Sequence, residues 1–231
     1  MAVFLVAVPF VLLLTQVVLE GPVTRWDAST ARSLTESVRG VPPALALMRA
    51  LSFLGHPVWL GVLGSAVGAY IWFRTRRRRP VIFIALTGSL GGLLGTAVKL
   101  LVGRPRPELD EPLAHAFGKS FPSGHAMASL VIYGALVLVV LPLVAQAWRP
   151  VLVAATSLVV LGIGVSRLVL GVHFITDVIG GWVLGAAWLS ASTAAFSIWR
   201  VQEGDPPVHP SEGVEPELVE KSLAVSRSRE Q

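Results

Sequence analysis

Long apolar runs broken by short clusters of charge set the pattern of this chain. A helix needs about 20 mostly apolar residues to cross a bilayer. Six runs meet or approach that length: 2–19, 52–73, 81–102, 124–145, 151–171 and 174–198. The pattern predicts an all-α fold, an integral membrane six-helix bundle over residues 1–198, with its core (81–198) on spans three to six. The first run is short and lacks a positive flank, but no small-x-small cleavage site precedes Glu20, so it reads as an uncleaved span rather than a signal peptide. Glycines 61, 64 and 68, and 88, 91, 92 and 95, predict close helix packing. The stretch 20–51 predicts a short amphipathic helix capped by "DAST" (27–30), with Leu34 and Val38 on its apolar face. Residues 199–231 are polar, acidic and rich in proline and serine, which predicts a disordered tail.

Composition agrees with a membrane protein. Hydrophobic residues make up 53% of the 231 and charged residues 14%, against about 25% charged in a soluble domain. The absence of cysteine excludes disulfides, thiolate metal sites and a cysteine nucleophile. The net charge of +5 comes mostly from two arginine-rich regions. It fits membrane topology and anion binding, with no nucleic-acid partner. "RTRRRRP" (74–80) places the turn between spans two and three on the cytoplasmic side. Counting spans from there puts both termini in the cytoplasm and the loops 20–51 and 103–123 outside a multi-pass cell-membrane protein.

Against that apolar background the ionisable residues stand out, because such groups at membrane depth mark function. They gather at matching helix ends: Lys99 closes span three, Arg104 and Arg106 follow it, His125 opens span four, Arg167 ends span five, and His173 and Asp177 open span six. The alternation puts all of them at the outer face. His173 and Asp177 are four apart and share a helix face. The carboxylate can take one ring N–H and leave the other nitrogen free to attack. "PSGH" (122–125) reads as a helix start with Ser123 as its cap, and its first N–H groups form an anion site that Gly124 leaves open. Lys99, Arg106 and Arg167 add positive charge and, from arginine, two-pronged donors suited to phosphate. These are the parts of a phosphoryl-transfer site that needs no metal or other cofactor. His173 attacks phosphorus, His125 protonates the leaving oxygen, and water then opens the phosphohistidine with His125 as base.

At these positions the chain resembles the type 2 phosphatidic acid phosphatase superfamily. "KLLVGRPRP" (99–107) fits K-x6-RP, "PSGH" is the second signature, and "SRLVLGVHFITD" (166–177) fits SR-x5-H-x3-D. The resemblance covers residues 20–198. It implies phosphate-binding roles for Lys99, Arg106, Ser123, Gly124 and Arg167, and catalytic roles for His173, His125 and Asp177. It also implies a membrane lipid phosphate or pyrophosphate as substrate.

The same residues admit other readings. Two histidines and a carboxylate can bind zinc, but three permanent cations at the same level repel a dication. An anionic-lipid binder or transporter would use the same cations without chemistry. A phosphatase of soluble esters would use the same site. Arg104 lies outside the motif positions and reads as structural or as a headgroup contact, and Lys119 reads either way, as a surface charge or as a contact to the substrate's anionic group. His56, His115 and His209 read as non-catalytic, and His56, in "LGHPVW" at the outer end of span two, is the one of the three open to a second reading. Undecaprenyl pyrophosphate, phosphatidylglycerophosphate and phosphatidic acid all fit, and no residue chooses among them. Small residues on spans three and six permit a homodimer.

Overall fold

The structure is a computed structural model that describes residues 2–109 and 113–217. Its α-helices are α1 (Ala2–Val18), α2 (Asp27–Val38), α3 (Pro42–Leu54), α4 (Pro57–Thr75), α5 (Arg79–Val102), α6 (Gly124–Val140), α7 (Arg149–Val169) and α8 (Ile175–Gln202). There is no β-strand element among the described residues, so the fold is all-α. Proline sits in the first turn of α3, α4, α5 and α7. There its missing N–H costs nothing and its fixed φ suits the helix. Gly103 ends α5 in the left-handed region (φ 65°), its N–H bonded to the Lys99 carbonyl.

Four helices are long and apolar enough to cross a membrane on their own: α5, α6 with its continuation to Leu143, α7 with its approach from Gln146, and α8. The count reaches six if each of two bent pairs is one span. One pair is Ala7–Val18 with Pro22–Val38, bent by 69°; the other is α3 with α4, bent by 54°. The protein is a multi-pass membrane protein, and many of its large apolar side chains face outward, among them Leu93, Leu100, Leu101 and Leu158. In water such a surface would be an aggregation hazard; in lipid it is the solvated face.

The entry to span two differs from the expectation. The stretch 20–51 carries two helices, α2 and α3, and α3 runs on to Leu54. Pro57 starts a new helix because a proline disfavours α geometry in the residue before it; His56 accordingly is extended (φ −70°, ψ 134°). Asp27 is not a cap either. The N-terminal cap of α2 is Trp26, with no side-chain bond, while the Asp27 carboxylate is buried against Thr176 and Arg104.

Helix α6 is the centre of the bundle and packs on α4, α5, α7 and α8, while α1 packs on α8. Helices α6 and α8 approach backbone to backbone. A β-carbon on Gly181 would lie 2.7 Å from the Ser123 carbonyl oxygen, and one on Gly185 would lie 3.1 Å from that of Met127. Helices in lipid lack a hydrophobic drive to associate, so such backbone contact is what holds them. At the end of the same seam Ser123 N donates to the Asp177 carbonyl at 2.9 Å. Gly181 and Gly185 of α8 are thus used within this chain.

The tail also differs from the expectation. Residues 199–202 complete α8, and residues 203–217 fold back under the arginine end of the bundle; residues 218–231 lie outside the described residues. Val214 N donates to the Leu138 carbonyl at 2.9 Å, and its side chain joins a core with Ile71, Phe83, Ile84 and Phe196. Glu215 pairs with Arg77 at 2.9 Å and Arg200 at 3.2 Å, Glu217 pairs with Arg200 at 2.6 Å, and Arg79 pairs with Glu203 and Asp205. Burial pushes the Glu215 carboxyl above the ordinary range, against the pull of those arginines. Composition pointed to a solvated tail, but this acidic stretch meets the arginines that would otherwise face one another.

Gly181→Val places atoms where the α6 backbone already is. Overpacking of this kind costs about 1–3 kcal/mol. The expected outcome is a lower apparent Tm in detergent. Gly61→Val, whose β-carbon meets nothing within 4 Å, serves as the control. Equal melting of the two variants would contradict the seam.

Candidate active site

The α6–α8 seam places "PSGH" beside the first turn of α8, and that turn carries Asp177. Ser123 is the N-terminal cap of α6, accepting weakly from Ala126 N at 3.5 Å. Asp177 is fully buried. Its Oδ2 accepts Phe174 N at 2.9 Å and lies 3.3 Å from His173 Nδ1. One carboxylate oxygen therefore fixes both the start of α8 and the imidazole four residues before it.

The other ring nitrogen settles the tautomer. Arg106 Nη1 lies 3.2 Å from His173 Nε2. A guanidinium has donors only, so Nε2 must present its lone pair and the proton sits on Nδ1, toward Asp177. Arg106 is itself held by backbone carbonyls: Nε donates to Gly118 at 3.0 Å, Nη2 to Phe117 at 3.0 Å, and Nη1 to Val172 at 2.7 Å. His173 is 2% exposed, and burial is the largest influence on it. Burial lowers its pKa to about 4, opposed by the hydrogen bond and charge of Asp177 and assisted by Arg106 and Lys99. At neutral pH the ring is uncharged, with its Nε2 lone pair turned toward Arg106.

The remaining cations come from other helices. Lys99, in the last turn of α5, brings its Nζ to 4.0 Å from where a β-carbon on Gly124 would sit. Arg167, in the last turn of α7, is 7% exposed. It donates through Nη1 to Ser52 Oγ on α3, and its buried Nε has no hydrogen-bond partner. The predicted residues Lys99, Arg106, Gly124, His125, Arg167 and His173 all line one cavity of about 870 Å³. Ser123 and Asp177 stand behind them as cap and carboxylate. His56 lies beside the site, its ring centroid 6.1 Å from that of His125. Lys119, His115 and His209 are exposed and do not line the cavity.

The cavity continues away from the charged end between α4 and α5, over α6. All seven glycines read from the sequence as packing positions line it: 61, 64 and 68 on α4, and 88, 91, 92 and 95 on α5. Packing explains only part of them. Added β-carbons on Gly88, Gly91 and Gly95 would meet Ile132, Trp188 and Met127, whereas those on Gly61 and Gly92 would meet nothing within 4 Å. From Lys99 to Val81, both on its wall, α5 rises about 27 Å at 1.5 Å per residue, close to the roughly 30 Å of a hydrocarbon core.

Sequence reasoning missed three contributors. Ser52 holds Arg167, and Arg104 with Asp27 reaches Asp177 from behind. Only the burial of Asp27 in an otherwise polar helix could have signalled the last pair, and burial is not visible in sequence. No three His, Cys, Asp or Glu side chains among the described residues lie so as to share a metal ion. His125, His173 and Asp177 do not form such a set, since Asp177 already serves the His173 ring and the backbone.

Comparison with known proteins adds a family. The model of the PAP2 superfamily matches residues 79–200. Phosphatidylglycerophosphatase B of Bacillus subtilis is 33% identical over 142 residues, covering 60% of this chain and 68% of that protein. Lipid A 1-phosphatase of Rhizobium johnstonii is 29% identical over 139 residues, covering 56% of this chain and 48% of that one. The crystal structure of a transmembrane PAP2 type phosphatidylglycerolphosphate phosphatase from Bacillus subtilis superposes with a TM-score of 0.73, at 23% identity over 83% of this chain and 94% of that one. The structure of Aquifex aeolicus LpxE gives 0.57, at 23% identity over 72% and 93%. At that identity the structural likeness concerns the fold.

The tautomer and charge of His173 are directly measurable. In ¹⁵N spectra of the protein labelled at histidine, its ring is expected to remain neutral and protonated on Nδ1 down to about pH 5. Because the folded form resists protonation, stability also declines as pH falls below the unfolded value of about 6.5 toward 4. A ring midpoint near 6.5 in the folded protein would contradict the burial argument.

Proposed function

The chain belongs to the PAP2 superfamily and is a membrane phosphatase, and from that premise we propose that it hydrolyses the phosphomonoester or pyrophosphate headgroup of a membrane lipid, without metal, through a phosphohistidine at the outer face. The observation that carries this reading is the His173 ring, whose Nδ1 is held by Asp177 while Nε2 turns its lone pair to a cavity walled by Lys99, Arg106 and Arg167.

The reaction runs in two displacements. Nε2 forms a bond to phosphorus as the P–O bond to the leaving group breaks, and His125 gives that oxygen a proton. Asp177 stabilises the charge that develops on the ring. The cations and the first N–H groups of α6 hold the non-bridging oxygens, where such preorganised donors act most strongly. Water then attacks phosphorus, loses a proton to His125 and breaks the P–N bond, releasing inorganic phosphate. The unpartnered Arg167 Nε supports the same reading. A buried donor without an acceptor costs about 1–3 kcal/mol, and a phosphate oxygen is an acceptor of the right kind.

The lipid nature of the substrate rests on the glycine-lined cavity. A headgroup at the cationic end leaves its chain room to lie along α4 and α5, on a wall open to the bilayer at Ser65, Ser89 and Gly92. The relatives named for phosphatidylglycerophosphate and for lipid A support a lipid phosphate over a soluble ester. The arginines 74–79 at the opposite end of α4 and α5 support a cytoplasmic placement there and an extracytoplasmic site.

His173→Ala is expected to abolish phosphate release from purified protein, to leave the fold intact, and to remove an acid-labile phosphoenzyme that the parent forms in the presence of EDTA. Near-normal turnover in the variant would end the mechanism, and loss of parent activity in EDTA would revive a metal.

Gly92→Leu fills the chain-bearing part of the cavity without touching the charged end. It is expected to lower kcat/KM for a long-chain lipid phosphate by about 10-fold, on the scale of a filled apolar subsite, and to spare a short-chain ester. Equal effects on both substrates would favour the soluble-ester reading.

A further inference from the structure

Asp177 has a second oxygen, and the mechanism above does not use it. Oδ1 accepts Arg104 Nη1 at 2.7 Å. The same guanidinium donates to Thr176 Oγ1 at 2.7 Å and through Nη2 to Asp27 Oδ2 at 2.8 Å. Asp27 in turn accepts Thr176 N at 3.2 Å and the Thr176 hydroxyl. The guanidinium carbon stands 4.2 Å from the centroid of the Phe174 ring. Asp27 and Asp177 are 3% and 0% exposed. Arg104 is therefore a single cation between two buried carboxylates, one on α8 and one on α2. It does not line the cavity, and the partners just named occupy both of its terminal nitrogens.

On the reading that His173 attacks phosphorus, we propose that Arg104 is a positioning residue for the His173–Asp177 pair, and that Asp27, from α2, sets how strongly Arg104 draws on that carboxylate. The geometry gives two effects. Arg104 pins Asp177 through Oδ1, so that Oδ2 faces the imidazole. It also draws charge toward Oδ1 and so tempers the pull of Asp177 on an imidazolium. Asp27 opposes that second effect, because its own negative charge offsets Arg104. The electrostatic chain runs Asp27, Arg104, Asp177, His173, with alternating sign.

The other charged groups around the ring are Asp177 from α8, Arg106 from the 103–107 segment and Lys99 from α5, with His125 of α6 and Arg167 of α7 in the same cluster. Substitutions at positions 27 and 104 change the identity of none of these groups.

Alternating sign gives a test that a merely structural role would not meet. Arg104→Gln removes the tempering cation, so the imidazolium is better stabilised and the acid limb of kcat/KM moves to higher pH, by about one unit for one partly screened neighbouring charge. Asp27→Asn keeps the shape and the acceptor but removes the opposing charge, so the acid limb moves to lower pH. In Arg104→Gln, kcat is also expected to fall on the order of 10-fold or more, as for a displaced reacting group, with inhibition by inorganic vanadate little changed. Arg104→Lys returns the limb toward the parent position, because it restores the charge. If Arg104→Gln does not fold, the nearly isosteric Asp27→Asn carries the test alone. Limbs that stay fixed or move together overturn the proposal. So does loss of vanadate affinity in step with kcat, which would make Arg104 a phosphate ligand. The two levels separate cleanly. An inactive His173→Ala with unmoved limbs sinks the Arg104 role alone, and an active His173→Ala sinks both.

Discussion

Asp177 ties the site together through three different atoms. Its backbone oxygen accepts Ser123 N, its Oδ2 serves Phe174 N and His173, and its Oδ1 accepts Arg104. Burying an ionised carboxylate is expensive unless it is paired and hydrogen-bonded. Here the carboxylate joins the start of α8 to the 103–107 segment, and the backbone oxygen of the same residue brings in the start of α6. The cationic cradle would lose its common reference without it, since Lys99, Arg167 and the α6 N-terminus each arrive on a different helix. The close α6–α8 seam serves the same end, because only glycine at 181 lets the two backbones come near enough for the Ser123–Asp177 bond.

Much of the site was legible in the sequence for one reason: charge in an apolar run is costly and therefore visible. Lys99, Arg167, His173 and Asp177 stand out against apolar sequence, and motif spacing added Arg106 from the loop after span three. The six runs likewise gave the helices to within a few residues in α5 to α8. What the sequence hid was where an ordinary polar residue goes. Asp27 looks like a cap, and the structure turns it inward to Arg104. Ser52 looks like part of a span and holds Arg167. Glu215 looks like tail and is buried against arginines at the far end. In each case the deciding partner lies far away along the chain, which local pattern does not report.

The glycines make the same point in another way. A small residue in a membrane helix permits close approach, and at Gly181 and Gly185 that is its use. At Gly61 and Gly92 the same absence of a side chain leaves room. Periodicity cannot tell a contact from a void, because both ask only that nothing protrude.

The cavity, charged at one end and apolar along the other, has a consequence for turnover. On the proposed reading the two products belong to different phases: phosphate passes to water from the cationic end, while the lipid product slips sideways into the bilayer. Back-pressure on the enzyme would then be set by two unrelated quantities, the aqueous phosphate concentration and the mole fraction of that product among surrounding lipids.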